Sequence, residues 1–234
     1  MTQWAPKVFW NKAEVFDTDD GFGVSLDGRP VRTPAKSKLI LPTRALAVAT
    51  ADEWAAQQDT VNPLLMPYTR MANAALDKVS VQHAAVAVML ADYGDSDLLC
   101  YRADGPDDLV ARQTATWDPM LEWAHTTLGV LLQARAGVMH VPQDPATLAK
   151  LRDMVTAFDV FRLAAFHDLV TLSGSLILGF AAAKSARPVD EIWEMSRLDE
   201  LWQIEKWGDD DAAIEAAEVK HQAFRHSYDF FHSC

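Results

Sequence analysis

The stretch "PTRALAVATADEWAAQQ", residues 42–58, marks the point where the chain changes from one kind of secondary structure to another. It is rich in alanine, the strongest helix former, and Pro42 and Thr43 stand where the start of a helix is expected. We therefore predict a helix here. Shorter apolar runs with strand-like composition precede this stretch, and mostly helical patterns follow it.

The first forty residues carry the signals of short β-strands. The runs "KVFW", "AEVFDT", "GFGVSLDG" and "SKLILP" are rich in Val, Phe, Leu and Ile, and turn residues separate them. Within "LDGRPV", Asp27 and Gly28 stand between two apolar runs, a pairing that favours a β-hairpin.

Helical periodicity dominates from residue 67 to the end of the chain, in runs such as "SVQHAAVAVMLADYG" and "DPATLAKLRDMVTAF". Two short apolar runs, "DLLCYRA" (97–103) and "GVLLQAR" (129–135), fit strands as well as helices. The longest apolar run, "LVTLSGSLILGFAAA" (169–183), is shorter than the roughly 20 residues of a membrane span. We expect it to be a buried helix, in which Gly174 and Gly179 let a neighbouring helix approach closely.

These patterns predict an α+β fold. Residues 1–75 are expected to form a small mixed α/β domain, and residues 76–234 a mainly α-helical bundle domain. A chain of 234 residues, half of them apolar, is large enough to bury a sizeable core.

The net charge indicates which class of partner the protein binds, and the cysteines indicate its compartment. A formal net charge of −12 disfavours binding to nucleic acid and to anionic membranes, and favours a basic or amphipathic protein partner. The two cysteines, Cys100 and Cys234, form no CxxC pair and no metal-ligand spacing, which is typical of a reducing compartment. The opening "MTQWAPKVFW" lacks a signal-peptide or transit-peptide pattern, so we expect a cytoplasmic protein.

The sequence contains no catalytic motif that we can identify. Its glycines form neither a GxxxxGK[ST] nor a GxGxxG phosphate loop, and "LSGSLILG" lacks the GxSxG spacing of a nucleophile elbow. The histidines are scattered without a metal-ligand spacing, and Cys100 lies among apolar residues, where a thiol is inert. We therefore predict no catalytic residue, no cofactor and no metal site.

The stretch "LDELWQIEKWGDDDAA", residues 198–213, gathers six carboxylates around two tryptophans. Placed on one helix over 189–208, its apolar residues fall all round the axis, so we expect a largely enclosed helix. Glu200 can pair with Arg197 three residues earlier. Glu205 has no basic residue three or four positions away, and is therefore the carboxylate most in need of an outside cation. Asp209 to Asp211 follow Gly208 and are expected to cap the last helix.

Three interpretations of these carboxylates remain from the residues alone. Carboxylates on a helix are most often solvated or locally paired. They can instead belong to a surface that binds another protein, because the tryptophans beside them are of a residue type enriched at the centres of protein interfaces. The alternative function is a hydrolase that uses carboxylates of the 199–211 segment as an acid and base pair.

Four longer segments follow one another in a recognisable order: "GRPVRTPAKSKLILPTRALAVATADEWAAQ", "NPLLMPYTRMANAALD", "DLLCYRADGPDDLVARQTATWDPMLEW" and "SRLDELWQIEKWG". In these segments and in their order, the chain resembles a known family of assembly chaperones, those that bind the α subunit of the catalytic head of F-type ATP synthase. The resemblance extends over nearly the whole chain.

The resemblance implies a non-enzymatic chaperone, without a cofactor, that holds the free α subunit until a β subunit replaces it. It also implies a small mixed α/β domain followed by a helical bundle, in a bacterial cytoplasmic protein that we expect to be a monomer without nucleic acid or membrane insertion. The family's important acidic residue falls on Glu200 or Glu205. Our predicted partner-binding residues are Glu200, Trp202, Glu205, Trp207 and Asp209.

Overall fold

The computed structural model describes residues 7–208 and 210–234, and they form two compact units. The first unit comprises the described chain up to His83, together with 159–165 and 229–234. The second comprises 84–158 and 166–228. The predicted α+β fold class is confirmed. The domain boundary expected after residue 75 stays a prediction.

A small antiparallel sheet lies in the first unit. Strand β1 (Ala13–Thr18) pairs with β2 (Gly21–Leu26), and β2 also pairs with β3 (Arg29–Pro30) and β4 (Ile40–Leu41). Asp27 and Gly28 turn the chain from β2 to β3 with φ angles of 47° and 77°. Aspartate and glycine tolerate this left-handed region, so the hairpin predicted from "LDGRPV" is confirmed. The run "KVFW" makes only a bridge, from Lys7 to Thr60.

The helix predicted at residues 42–58 is α1 (Arg44–Ala55), which packs on the sheet. The Thr43 hydroxyl accepts a hydrogen bond from the Leu46 amide at 3.2 Å and so caps the helix. Near its other end, the Glu53 carboxylate accepts hydrogen bonds from the backbone amides of Tyr68 and Thr69. These amides open α2 (Pro67–Ala74), and α1 therefore fixes where α2 begins.

The second unit is mainly helical. Five of its helices are α4 (Asp107–Trp123), α5 (Pro145–Thr156), α7 (Leu176–Ala183), α8 (Val189–Ser196) and α9 (Leu198–Trp207). Three further helices contribute residues to both units: α3 (Ser80–Ala91), α6 (Val160–Ser173) and α10 (Asp211–Ser233). The two short ambiguous runs lead into a two-stranded parallel pair, β5 (Tyr101–Arg102) and β6 (Arg135–Ala136).

The long apolar run at residues 169–183 is buried as predicted, but it is not one helix. Helix α6 ends at Ser173, Gly174 takes a left-handed φ of 68°, and the Ser175 hydroxyl caps α7 by accepting from the Leu178 amide. A Cβ atom at Gly179 would lie 2.7 Å from Cγ2 of Val170. The predicted close helix approach is therefore made by α6 and α7 with each other.

A buried carboxylate, that of Asp97, secures the start of α7. It accepts hydrogen bonds from the Ser175 hydroxyl at 2.7 Å and from the amides of Ile177 and Leu99 at 3.0 Å each. Burial raises the pKa of Asp97 to about 6, against the opposing effect of these hydrogen bonds.

One helical run of the described chain, Pro67–Cys100, is long and apolar enough to cross a membrane by length and composition alone. Core helices of soluble proteins pass the same test, and the run is interrupted at Gln82, where φ is −133°.

Candidate functional site

The acidic and tryptophan-rich segment forms two helices rather than the single helix predicted over 189–208. The break falls at Arg197, where φ is −109° and ψ is 15°. The Arg197 amide donates to the Glu194 carbonyl, three residues back, which tightens and ends α8. The break separates the apolar faces of α8 and α9, so α9 buries only Leu198 and Trp202 and is not enclosed.

Helix α9 is fixed against α4 by polar contacts along one side. The Asp199 carboxylate accepts from the Gln113 side chain at 2.7 Å. The indole of Trp202 is buried and donates to Asp108 at 3.4 Å. Lys206 pairs with the same Asp108 carboxylate at 2.7 Å, and this hydrogen bond lowers the pKa of Asp108. Trp202 is therefore a packing residue with little surface of its own to offer a partner.

Glu205 has a basic partner, contrary to the sequence-based expectation. Its carboxylate forms an ion pair of 2.7 Å with Arg112 on α4. Spacing along one helix could not reveal this pair, because the two residues lie 93 positions apart in the chain. The Glu205 side chain is still 55% exposed, so the pair lies at the surface.

Glu200 pairs with Arg197 as the sequence predicted, at 2.5 Å. The Arg197 guanidinium also lies 5.9 Å from the ring centre of Trp193, which holds it in place. The Glu200 side chain is 61% exposed and is therefore accessible to a partner.

Trp207 is the most exposed aromatic residue at this site, at 74%. It meets Trp202 edge to face at a centroid distance of 5.5 Å. Of the predicted caps beyond it, Asp210 accepts from the Ala212 amide at the start of α10. The predicted partner-binding residue Asp209 lies outside the described residues.

An open groove of about 670 Å³ lies between α9 and the first turns of α10, and the end of α6 also lines it. Trp193, Ile204 and Trp207 give it apolar walls on the α8 and α9 side, and Glu200 lies on the same side. Sequence reasoning missed the opposite wall, which α10 forms. The groove brings Glu200 and Trp207 together, whereas Glu205 and Trp202 face α4.

The arrangement suits binding better than acid–base catalysis. Asp199, Glu200 and Glu205 contact three different side chains, Gln113, Arg197 and Arg112, so these carboxylates do not converge on one point. Among residues 7–208 and 210–234, no cluster of three or more His, Cys, Asp or Glu residues has the geometry of a metal site. Cys100 is buried, and burial raises the pKa of its thiol to about 12, as expected for an unreactive cysteine.

Comparison with protein families gives a match over the first half of the chain. The family model described as "ATP12 chaperone protein" matches residues 7–125. A curated relative, the mitochondrial protein atp12 of Schizosaccharomyces pombe, is 24% identical over 212 residues, which are 86% of this chain and 73% of that protein.

Two solved bacterial structures match almost the entire chain. The crystal structure of Atp12 from Paracoccus denitrificans is 48% identical, with a TM-score of 0.94 and 97% of each chain covered. That of the protein Atu1473 from Agrobacterium tumefaciens is 40% identical, with a TM-score of 0.93, and the match covers 97% of this chain and 86% of that one.

Proposed function

The chain belongs to the ATP12 chaperone family and is an assembly chaperone of ATP synthase, and from this premise we propose that its client is the unassembled α subunit of the catalytic head. The chaperone prevents that subunit from aggregating until it pairs with β. The resemblance of the ordered sequence segments to the α-binding chaperones supports this client. The role requires no chemistry, so we propose a protein without enzymatic activity or cofactor.

The exposed indole of Trp207, beside the groove between α9 and α10, is the observation that carries the proposal. Tryptophan is among the residues enriched at the energetic centres of interfaces, where it fills a pocket on the partner. An unassembled subunit exposes apolar surface that its neighbours later cover. Trp207 gives that surface an apolar anchor, and the acidic side chains around it give the rim.

The proposed partner-binding residues remain Glu200, Trp202, Glu205, Trp207 and Asp209, but they have different roles. Trp207 contacts the client directly, and Trp202 supports it from behind. Glu200 ranks ahead of Glu205, because it lines the groove beside Trp207. Both glutamates are in surface ion pairs worth about 0–1 kcal/mol, so a cation on the client can displace the internal arginine at small cost.

The chaperone is proposed to act in the bacterial cytoplasm as a monomer, without nucleic acid and without membrane insertion. Its charge of −12 supports a basic or amphipathic client surface. Binding through one anchor and a charged rim gives modest affinity, which lets the β subunit displace the chaperone.

A scattering assay with purified α subunit tests the function. The α subunit is diluted from denaturant with and without the chaperone, and light scattering reports its aggregation. The parent protein should suppress scattering by α and leave aggregation of the β subunit, measured in parallel, unchanged. Equal suppression of both would contradict α specificity, and no suppression of α would contradict the function.

Three variants and one control locate the contact. Trp207→Ala should require at least tenfold more chaperone for the same suppression, with an unchanged melting temperature because the side chain is exposed. Val138→Ala is the control, since Val138 is an apolar residue elsewhere in the second unit that is even more exposed, at 90%. Glu200→Lys should weaken suppression more than Glu205→Lys, because only Glu200 lines the groove.

A further inference from the structure

The first ten residues of α10, here called the outer segment (211–220), are helical but almost unburied. Ala217 is partly buried and the other nine residues are exposed. Burial begins farther along the helix, where Phe224 is fully buried. A helix of ten residues without a packed face is marginal by itself. The outer segment therefore depends on the attachments at its two ends.

Both attachments belong to the second unit. At the N-terminal end, Gly208 connects the segment to α9 with a φ of 90°, and Asp210 caps it. At the other end, the His221 ring stacks on Trp193 at 5.5 Å with an interplanar angle of 4°. His221 Nε2 also lies 2.8 Å from the Asp190 carboxylate of α8. These contacts hold the segment in place along one side of the groove.

The wall that the outer segment presents to the groove is made of small side chains. Ala213, Ala216 and Ala217 line the groove and, spaced three and four residues apart, lie on one face of the helix. Trp193, Ile204 and Trp207 line the facing side. Small residues against large ones leave a groove of about 670 Å³, which polar side chains line as well as apolar ones. Its volume lies within the roughly 300–1,000 Å³ of ordinary ligand sites.

The wall that α10 forms has a charge of opposite sign toward each end, whereas Arg197 and Glu200 on the facing side are paired with each other. Asp210 and Lys220 both line the groove, and ten residues of helix separate them by about 15 Å. The Asp210 carboxylate caps α10, and neither side chain has an ion pair among the described residues. We therefore expect the groove to distinguish between segments by the order of their charges as well as by their apolar content.

We propose that this groove binds a segment of the client subunit in which apolar side chains lie between a basic residue and an acidic one. The basic residue meets Asp210, the apolar side chains fill the space against the three alanines, and the acidic residue meets Lys220. The inference rests on the proposed function, because the client is the α subunit. A polypeptide fits better than a small molecule, since the groove is open and continues onto the exposed face of Trp207.

Filling the groove tests the proposal. Ala213→Trp and Ala216→Trp each place a large side chain in the space, and neither alters the core because both positions are exposed. Ala212→Trp is the matched control, as an exposed alanine of the same helix that does not line the groove. Each plugged variant should require at least tenfold more chaperone to suppress α-subunit scattering, while the control equals the parent. Thermal melts should be alike for all four proteins.

Two changes that each remove one charge test the order of charges. Asp210→Asn removes the charge but keeps a good helix cap, and Lys220→Gln removes the opposite charge. Each should weaken suppression several-fold in 50 mM salt and have a smaller effect in 500 mM salt, because salt screens exposed charges.

The outcomes distinguish a failure of the proposed groove from a failure of the proposed function. If the parent protein holds the α subunit and both plugged variants hold it equally well, the groove is not the site and the proposed function still stands. If the parent does not hold the α subunit, both claims fail together. If the plugged variants hold the client normally but change the oligomeric state seen by size exclusion, the groove binds a second copy of this chain and the inference is wrong.

Discussion

Helix α7 and the outer segment of α10 are alike in length and in alanine content, yet they lie at opposite extremes of burial. Seven of the eight residues of α7 are buried, from Leu176 to Ala182. In the outer segment only Ala217 is partly buried. The other residues account for the difference: they are apolar in α7 (Leu, Ile, Gly and Phe), whereas in the outer segment Asp, Glu and Lys outnumber Ile214 and Val219.

The contrast separates what stabilises this protein from what recognises a partner. Helix α7 is held by packing on α6 and by the buried carboxylate of Asp97. The outer segment is held at its ends and leaves an open wall between them. Changes in α7 should therefore alter stability, and changes in the outer segment should alter binding.

The largest expected effect is that of Phe180→Ala in α7. The Phe180 ring is 1% exposed and packs 4.9 Å from the ring of Phe166, so its removal leaves a cavity. We expect a loss of about 3–5 kcal/mol in the free energy of unfolding, measured by urea denaturation. A loss below 1 kcal/mol would contradict the assignment of α7 to the core.

Asp97→Asn should destabilise the protein, and more so at low pH. Because its pKa rises from 3.8 to about 6 on folding, the folded state holds this proton more tightly. The stability that Asp97 contributes is therefore present below pH 4 and is lost as the pH rises through 6, by up to about 3 kcal/mol. The Asp97→Asn variant has no carboxyl group at this position, so it lacks this dependence of stability on pH.

The difference in unfolding free energy between parent and Asp97→Asn should accordingly be larger at pH 4.5 than at pH 7. Urea denaturation of both proteins at each pH measures it. A difference that grows with rising pH would show that the pKa is lowered on folding rather than raised.

Gly179→Ala should cost about 1–3 kcal/mol, since the new methyl group would lie 2.7 Å from Val170 and must displace it. Thermal melting of the variant measures the loss. Alanine is the better helix former, so an unchanged or higher melting temperature would mean that α6 and α7 separate without cost.

The smallest effect is expected in the outer segment. Ile214→Ala removes a larger side chain than Gly179→Ala adds, but Ile214 is 44% exposed. The free energy of unfolding should change by less than about 0.5 kcal/mol. A loss of more than 1.5 kcal/mol in urea denaturation would show that the segment is packed, and the contrast with α7 would fail.

Local signals in the sequence predicted the local structure well. The change of pattern at Pro42, the Thr43 cap and the Asp27–Gly28 turn each act within a few residues, so spacing alone reveals them. The breaks at Gly174 and Arg197 were missed because the apolar periodicity continues across them. Their cause lies partly in tertiary contacts, such as that of Ser175 with Asp97.

The candidate site was predicted in composition but not in geometry. The pair of Arg197 and Glu200 lies within one turn of chain and was found. The pair of Arg112 and Glu205 joins two helices that only the folded chain brings together, so helical spacing left Glu205 without a partner. The alanine wall of α10 carries no signal of its own, because alanines at this spacing occur in any helix.

The two cysteine thiols can report on local opening of the folded protein. Cys100 lies in the second unit and Cys234 in the first, and burial raises the pKa of each thiol to about 12. Alkylating reagents attack the thiolate, so both cysteines should react much more slowly at neutral pH than an exposed thiol does, and faster when their surroundings open. The rate of alkylation at each position, followed by mass spectrometry, therefore measures how often the surroundings of Cys100 in the second unit and of Cys234 in the first unit open. Equal rates would mean that the two units unfold together, and unequal rates would give each unit a stability of its own.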